Sequence, residues 1–217
     1  MFFRPRFGIV FVLVLACMGA SWPSTAQVVV FDNTTKPTGS TAFTVFEIGN
    51  QVQIASPSVL TKLEIGVYSQ GFAATVDSLQ AFLYMNDGAG GTPGTQLWAS
   101  SVLTNVSLTG GYNLIPFALP DIAVPNIFTW TLQTGAANPV AAGLPAFDAP
   151  STGTVLHAWF GSSVLWNSLD ANGINSHYMA RISTASITAV PESGTLVPLA
   201  GLLLSGATML YRRRNSI

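Results

Sequence analysis

The sequence predicts an all-β fold, a β-sandwich of jelly-roll type, flanked by an N-terminal signal peptide and a short C-terminal transmembrane helix. Three observations predict the sandwich. Between the two ends, short runs of alternating apolar and polar residues are separated by Gly, Pro, Asn and Asp, the pattern of strands and turns. No stretch there sustains the 3.6-residue period of a helix. Only 8% of the chain is charged, and Ser, Thr, Asn and Gly are plentiful, which suits a β-protein whose surface is made of hydroxyls and amides. Aromatic and β-branched residues are too frequent for a disordered chain.

Residues 1–26 come first. Arg4 and Arg6 precede an uncharged apolar run over residues 8–20, and Ser24-Thr25-Ala26 follow with small side chains. That is the three-part layout of a secretory signal peptide, with signal peptidase expected to cut after Ala26. Cys17, the sole cysteine, lies inside this segment. The mature domain, residues 27–189, therefore has no thiol for a disulfide and must rest on a packed core. Its length is ordinary for one domain.

The strands follow in order. In residues 59–67, Val59, Leu63, Ile65 and Val67 are expected inward, with Lys62 and Glu64 outward. Residues 77–85 form the next strand. It enters a glycine-rich loop, Asn86-Asp87-Gly88-Ala89-Gly90-Gly91-Thr92-Pro93-Gly94, whose Asn, Gly and Pro are turn formers. The chain leaves this loop toward Trp98. Residues 111–119 and 128–133 are further strands. In the latter, Phe128, Trp130 and Leu132 face one way and Thr129, Thr131 and Gln133 the other. Residues 134–154, punctuated by Asn138-Pro139, Gly143, Leu144-Pro145 and Ala149-Pro150, read as a long loop. Strands at 155–160 and 178–187 complete the set.

The chain then ends on Val190-Pro191-Glu192, an apolar stretch over residues 196–211, and Arg212, Arg213 and Arg214. As a helix the stretch would be about 24 Å long, against a bilayer core of about 30 Å. It is a short span that the arginines stop on the cytoplasmic side. The three parts in this order resemble the PEP-CTERM sorting signal, except that Ser193 stands where a second proline is usual. The resemblance covers residues 190–217. It implies handling by an exosortase-like membrane protease-transpeptidase in a bacterium that makes extracellular polysaccharide. On that reading Val190, Pro191, Glu192, Arg212, Arg213 and Arg214 are the sorting residues. The loop at residues 83–98, with Trp159-Phe160-Gly161-Ser162-Ser163 and His177-Tyr178-Met179-Ala180-Arg181-Ile182, resembles the extracellular choice-of-anchor domains. Those imply a β-sandwich and no established activity.

Function classes can be narrowed from the residues themselves. In residues 27–189, three cations, Lys36, Lys62 and Arg181, stand against eight carboxylates, a balance of −5. No basic patch is present to neutralise phosphates, so nucleic acid is excluded as a partner. His157 and His177 are the only histidines. No nucleophile elbow, His-Glu-x-x-His pair or phosphate loop occurs. No catalytic residue, metal site or cofactor is therefore assigned, and the chain is read as a non-enzyme. Asn86-Asp87-Gly88 and Asp170-Ala171-Asn172-Gly173 offer oxygens, but neither supplies a full calcium loop and both read as Asx turns.

Carbohydrate binding is the alternative to a structural or adhesive role. Trp98, Trp159, Trp166, Tyr84 and Tyr112 are the aromatic side chains considered for stacking on sugars. Trp159 and Trp166 are singled out because His157, Asn167, Asp170 and Asn172 lie near them in sequence. His157 is expected on an outer face with Trp159.

Overall fold

The computed structural model describes residues 27–35, 37–42, 47–135, 142–147, 149–162, 165–170 and 177–185. The chain divides into two units, Gln27–Ala185 and a second made from its two ends, and every described residue belongs to the first.

The described residues form fourteen strands and a single 3-10 turn at Ala89–Gly91. The strands are β1 (Gln27–Asp32), β2 (Pro37–Ala42), β3 (Glu47–Gln53), β4 (Ser58–Ser69), β5 (Ala74–Met85), β6 (Gln96–Ala99) and β7 (Leu103–Leu108), then β8 (Gly111–Val124), β9 (Ile127–Thr134), β10 (Ala142–Phe147), β11 (Thr154–Ser162), β12 (Leu165–Ser168), β13 (His177–Tyr178) and β14 (Ala180–Ala185). They pair antiparallel throughout, in two sheets of seven. The all-β expectation holds.

In the first sheet β4 is the spine. β8 follows one of its edges, while β14 and then β10 share the other. β1 adds to β14, and both β2 and β13 add to β10. The second sheet runs β12-β11-β3-β9-β5, and β6 and β7 share the outer edge of β5.

Alternation explains which side chains enter the core. Leu63, Ile65 and Val67 of β4 and Ile115 and Phe117 of β8 come from the first sheet. Leu79, Ala81 and Leu83 of β5 and Phe128, Trp130 and Leu132 of β9 come from the second. All belong to one apolar cluster. Burying a side chain of this size contributes about 1.5–3 kcal/mol, so a domain without disulfides has its main support here.

Three expectations are corrected. Val59 is not inward: it is 49% exposed, and Leu60 takes the core position instead. The cause is a bulge. Against β14, Leu60 pairs with Thr184 and Lys62 with Ser183, so β4 carries one extra residue there and its inward phase slips. Against β8, Leu60 pairs with Ile122 and Lys62 with Ala118, so β8 is bulged at the same level. Asp121, within the bulge, has φ 52°.

Residues 134–154 are not one long loop. Thr134 ends β9, and β10 lies inside the stretch, paired with β2, β4 and β13. Gly143 and Pro145 disguise it as a turn. Pro145 still serves the sheet through its carbonyl, which accepts from the Met179 amide at 3.1 Å. The strand foreseen at 178–187 is interrupted at Met179, whose carbonyl accepts from Gly66 N–H at 2.8 Å. A Cβ at Gly66 would run into the Met179 side chain, so glycine is required there.

Candidate functional site

Val190, Pro191, Glu192, Arg212, Arg213 and Arg214, the residues expected to form a sorting signal, lie outside the described residues. So do residues 171–176, including Asn172. Among the described residues no helix is long and apolar enough to cross a membrane.

Trp159 and Trp166 are both on the second sheet, on β11 and β12. Their strands pair, with Trp159 opposite Ser168 and Trp166 opposite Gly161. Trp159 is only 7% exposed, and its Nε1–H donates to Gln51 Oε1 at 3.4 Å. Trp166 is half-buried and meets Tyr84 edge-on, with ring centroids 5.4 Å apart. Its buried Nε1 has no hydrogen-bond partner. Gly161 stands opposite both Trp166 and Glu47 in register. A Cβ there would collide with the backbone of Leu165, so the close approach of β12 depends on this glycine.

His157 shares a face with Trp159, as expected, at a ring separation of 5.6 Å. Sequence proximity did not reveal its partner. Nδ1 lies 2.8 Å from Asp170 Oδ2, and the other carboxylate oxygen accepts from the Ala158 amide at 3.3 Å. Ser168 Oγ adds a third bond to Asp170. Asp170 thus ties the end of β12 back onto β11 beside a bulge between Val155 and His157. The His157 side chain remains 51% exposed.

A second polar group lies where no sequence pattern marks it. Glu47 is 5% exposed, and one of its carboxylate oxygens accepts from Tyr84 Oη at 2.8 Å and Thr131 Oγ1 at 2.7 Å. Burial pushes the Glu47 carboxyl above its ordinary range, and the two donated bonds only partly offset this. Burial, then the bond to Glu47, pushes the Tyr84 hydroxyl well above the usual phenol range. Nearby, Thr129 Oγ1 donates to Asn86 Oδ1 at 2.6 Å, and the buried Asn86 Nδ2 has no partner.

The glycine-rich loop is closed by its own aspartate. Asp87 accepts from the amide and the hydroxyl of Thr95, each at 2.6 Å. Those bonds hold its carboxyl below the usual range, the hydroxyl contributing most. Its oxygens are engaged in closing the turn. Among the described residues no group of three or more His, Cys, Asp or Glu converges.

The remaining candidate is a cleft of about 290 Å³ where edges of the two sheets meet. Trp98, Ser100, Ser101 and Leu103, from β6, β7 and their link, form one wall, and Pro116, Phe117 and Ala118 of β8 the other. None is ionisable. Ser100 Oγ is engaged, accepting from the Ala81 amide and donating to the Ser101 carbonyl. Ser101 is exposed, and Trp98 is half-buried at the edge of the core.

No protein-family model matches this chain, and no curated protein or solved structure matches it either.

Proposed function

We propose that this is an exported bacterial surface or extracellular-matrix protein, with a non-enzymatic structural or adhesive role in biofilm or exopolysaccharide. The reading is carried by the order of parts at the C-terminal end: Val190-Pro191-Glu192, an apolar stretch, then Arg212, Arg213 and Arg214. On this reading signal peptidase removes residues 1–26. The apolar stretch, as a short transmembrane helix, tethers the precursor in the inner membrane. An exosortase-like enzyme then removes residues near 190–217, and the domain goes to the cell surface or matrix. The two sheets around one core are read as a β-sandwich of jelly-roll type. A disulfide-free, sparsely charged all-β domain supports that role, because its surface offers hydroxyls and amides to neutral polymers.

The test is the mass of the C-terminal peptide of the protein isolated from its native host. A terminus near residues 190–193 is expected, with any added mass revealing a new anchor. An intact Ile217 in the membrane fraction would overturn the sorting reading. Turnover of a polysaccharide by the purified protein would overturn the non-enzymatic one.

One observation favours a second reading, a carbohydrate-binding module. The cleft beside Trp98 joins an indole, a proline ring and serine hydroxyls without any charge, a lining suited to a neutral, hydroxylated ligand.

A further inference from the structure

The structure sorts the five aromatic side chains that the sequence offers for sugar stacking. Tyr84 and Trp159 are buried. Trp166 is turned edge-on against Tyr84. Tyr112 is 45% exposed but leans on Tyr68, with centroids 5.0 Å apart. Trp98 alone of the five lines a described cleft.

We propose that this cleft, walled by Trp98 and Ser101 on one side and by Pro116 and Phe117 of β8 on the other, binds a single neutral pyranose unit. The inference rests on the carbohydrate-binding reading and gives it a place. Three features carry it. The volume of about 290 Å³ lies at the small end of ligand sites, the size for one sugar ring rather than a nucleotide or a lipid. The lining has no ionisable side chain, so nothing there would recognise a phosphate, a carboxylate or an amine. And the polar groups match hydroxyls. Ser101 is exposed, and among the described residues β8 pairs on one edge only, so alternate backbone groups face away from β4. The indole and proline rings suit the C–H face of the sugar, while Ser101 and the strand edge suit its hydroxyls. A purely apolar ligand would leave those hydrogen-bonding groups unpaired.

The experiment is saturation-transfer NMR on the full chain in detergent, with D-glucose, D-galactose, D-mannose and N-acetyl-D-glucosamine as probes and toluene as an apolar comparison. Saturable transfer to at least one sugar is expected. It should weaken at least tenfold in Trp98→Ala and in Ala118→Ile. The second variant changes an exposed strand residue at the mouth of the cleft, so it retains the fold if the first does not. Sugar transfer that persists in Ala118→Ile would remove the site from the cleft while leaving the carbohydrate reading standing. Absence of transfer to all four sugars would end both. Transfer to toluene alone, lost in Ala118→Ile, would make the cleft an apolar site and overturn the proposal.

Discussion

On the first sheet, the face turned away from the core carries ionised side chains that reach water. Lys62 and Glu64 meet at 2.8 Å, Arg181 meets Asp32 at 3.1 Å, and Tyr68 leans on Tyr112 beside them. On the second sheet, the corresponding face carries Glu47, Gln51, Thr129, Thr131, Phe82, Tyr84 and Trp159, and all of them are buried. Both sheets obey the same two-residue alternation. The difference is solvation: the charged side chains on the first face keep 15–35% of their exposure and still reach water, so their pairing is partly screened. On the second face each polar group needs a protein partner, and losing one leaves another stranded. Alternation tells which residues share a face, and burial decides what that face costs.

The comparison breaks most sharply at Gly49, which holds the second sheet together without a side chain. A Cβ there would strike the Trp130 carbonyl on β9. Gly49→Ala should cost about 3 kcal/mol or more, because backbone cannot yield as a side-chain tip can. Urea denaturation would show it, and an unchanged midpoint would mean that β3 and β9 are not this close.

A smaller effect is expected at Glu47. Glu47→Ala removes the acceptor of two buried hydroxyls and should cost about 1–3 kcal/mol. Glu47→Gln keeps an acceptor and should cost less.

The two variants also differ in pH dependence. The folded carboxyl of Glu47 is raised, so its ionisation opposes folding. Stability should be fullest below the unfolded value of about 4.5 and fall as pH climbs through the folded one. Asp87 has the opposite sign: its depressed carboxyl supports the fold above the unfolded value, and that support is lost as pH falls through the folded one. Glu47→Gln should abolish the first slope and leave the second. Thermal melts from pH 2 to 8 would separate them, and a slope above pH 4 that survives Glu47→Gln would show that Glu47 is not its source.

The smallest effect belongs to the first face. Lys62→Ala should move stability by less than about 0.5 kcal/mol. A loss as large as that of Glu47→Ala would erase the contrast between the two faces.

These positions also mark where the sequence was legible. Phe128, Trp130 and Leu132 announced their core face because apolar alternation is a local signal. β3, Glu-Ile-Gly-Asn-Gln-Val-Gln, was silent because its buried polar residues look like surface. Asn50 reads as a loop residue until its amide is seen to donate to the His157 carbonyl and its Oδ1 to accept from the Tyr178 amide at 2.6 Å. Those partners are more than 100 residues away in sequence. The Glu47 group was hidden for the same reason, its partners lying 37 and 84 residues away. The turn at Asp87 was legible, since Asx and glycine chemistry acts within a few residues. The His157–Asp170 pair was half legible: proximity was visible, but contact depended on the antiparallel pairing of β11 with β12. The cleft at Trp98 joins β6, β7 and β8, neighbours in sequence that pair into different sheets, and the alternation within each strand did not show that partition.

The pairing of the first strand with the last has a mechanical consequence. Gln27 lies opposite Ala185, and from there the β1–β14 ladder runs inward to Asp32 and Arg181. The chain thus enters and leaves the domain at neighbouring points. Tension applied between those two points would open the ladder from its end, loading its hydrogen bonds one after another instead of together. The domain is a zipper under end-to-end pull. A pull through one terminus alone does not draw Gln27 and Ala185 apart, and the zipper is then not opened from its end.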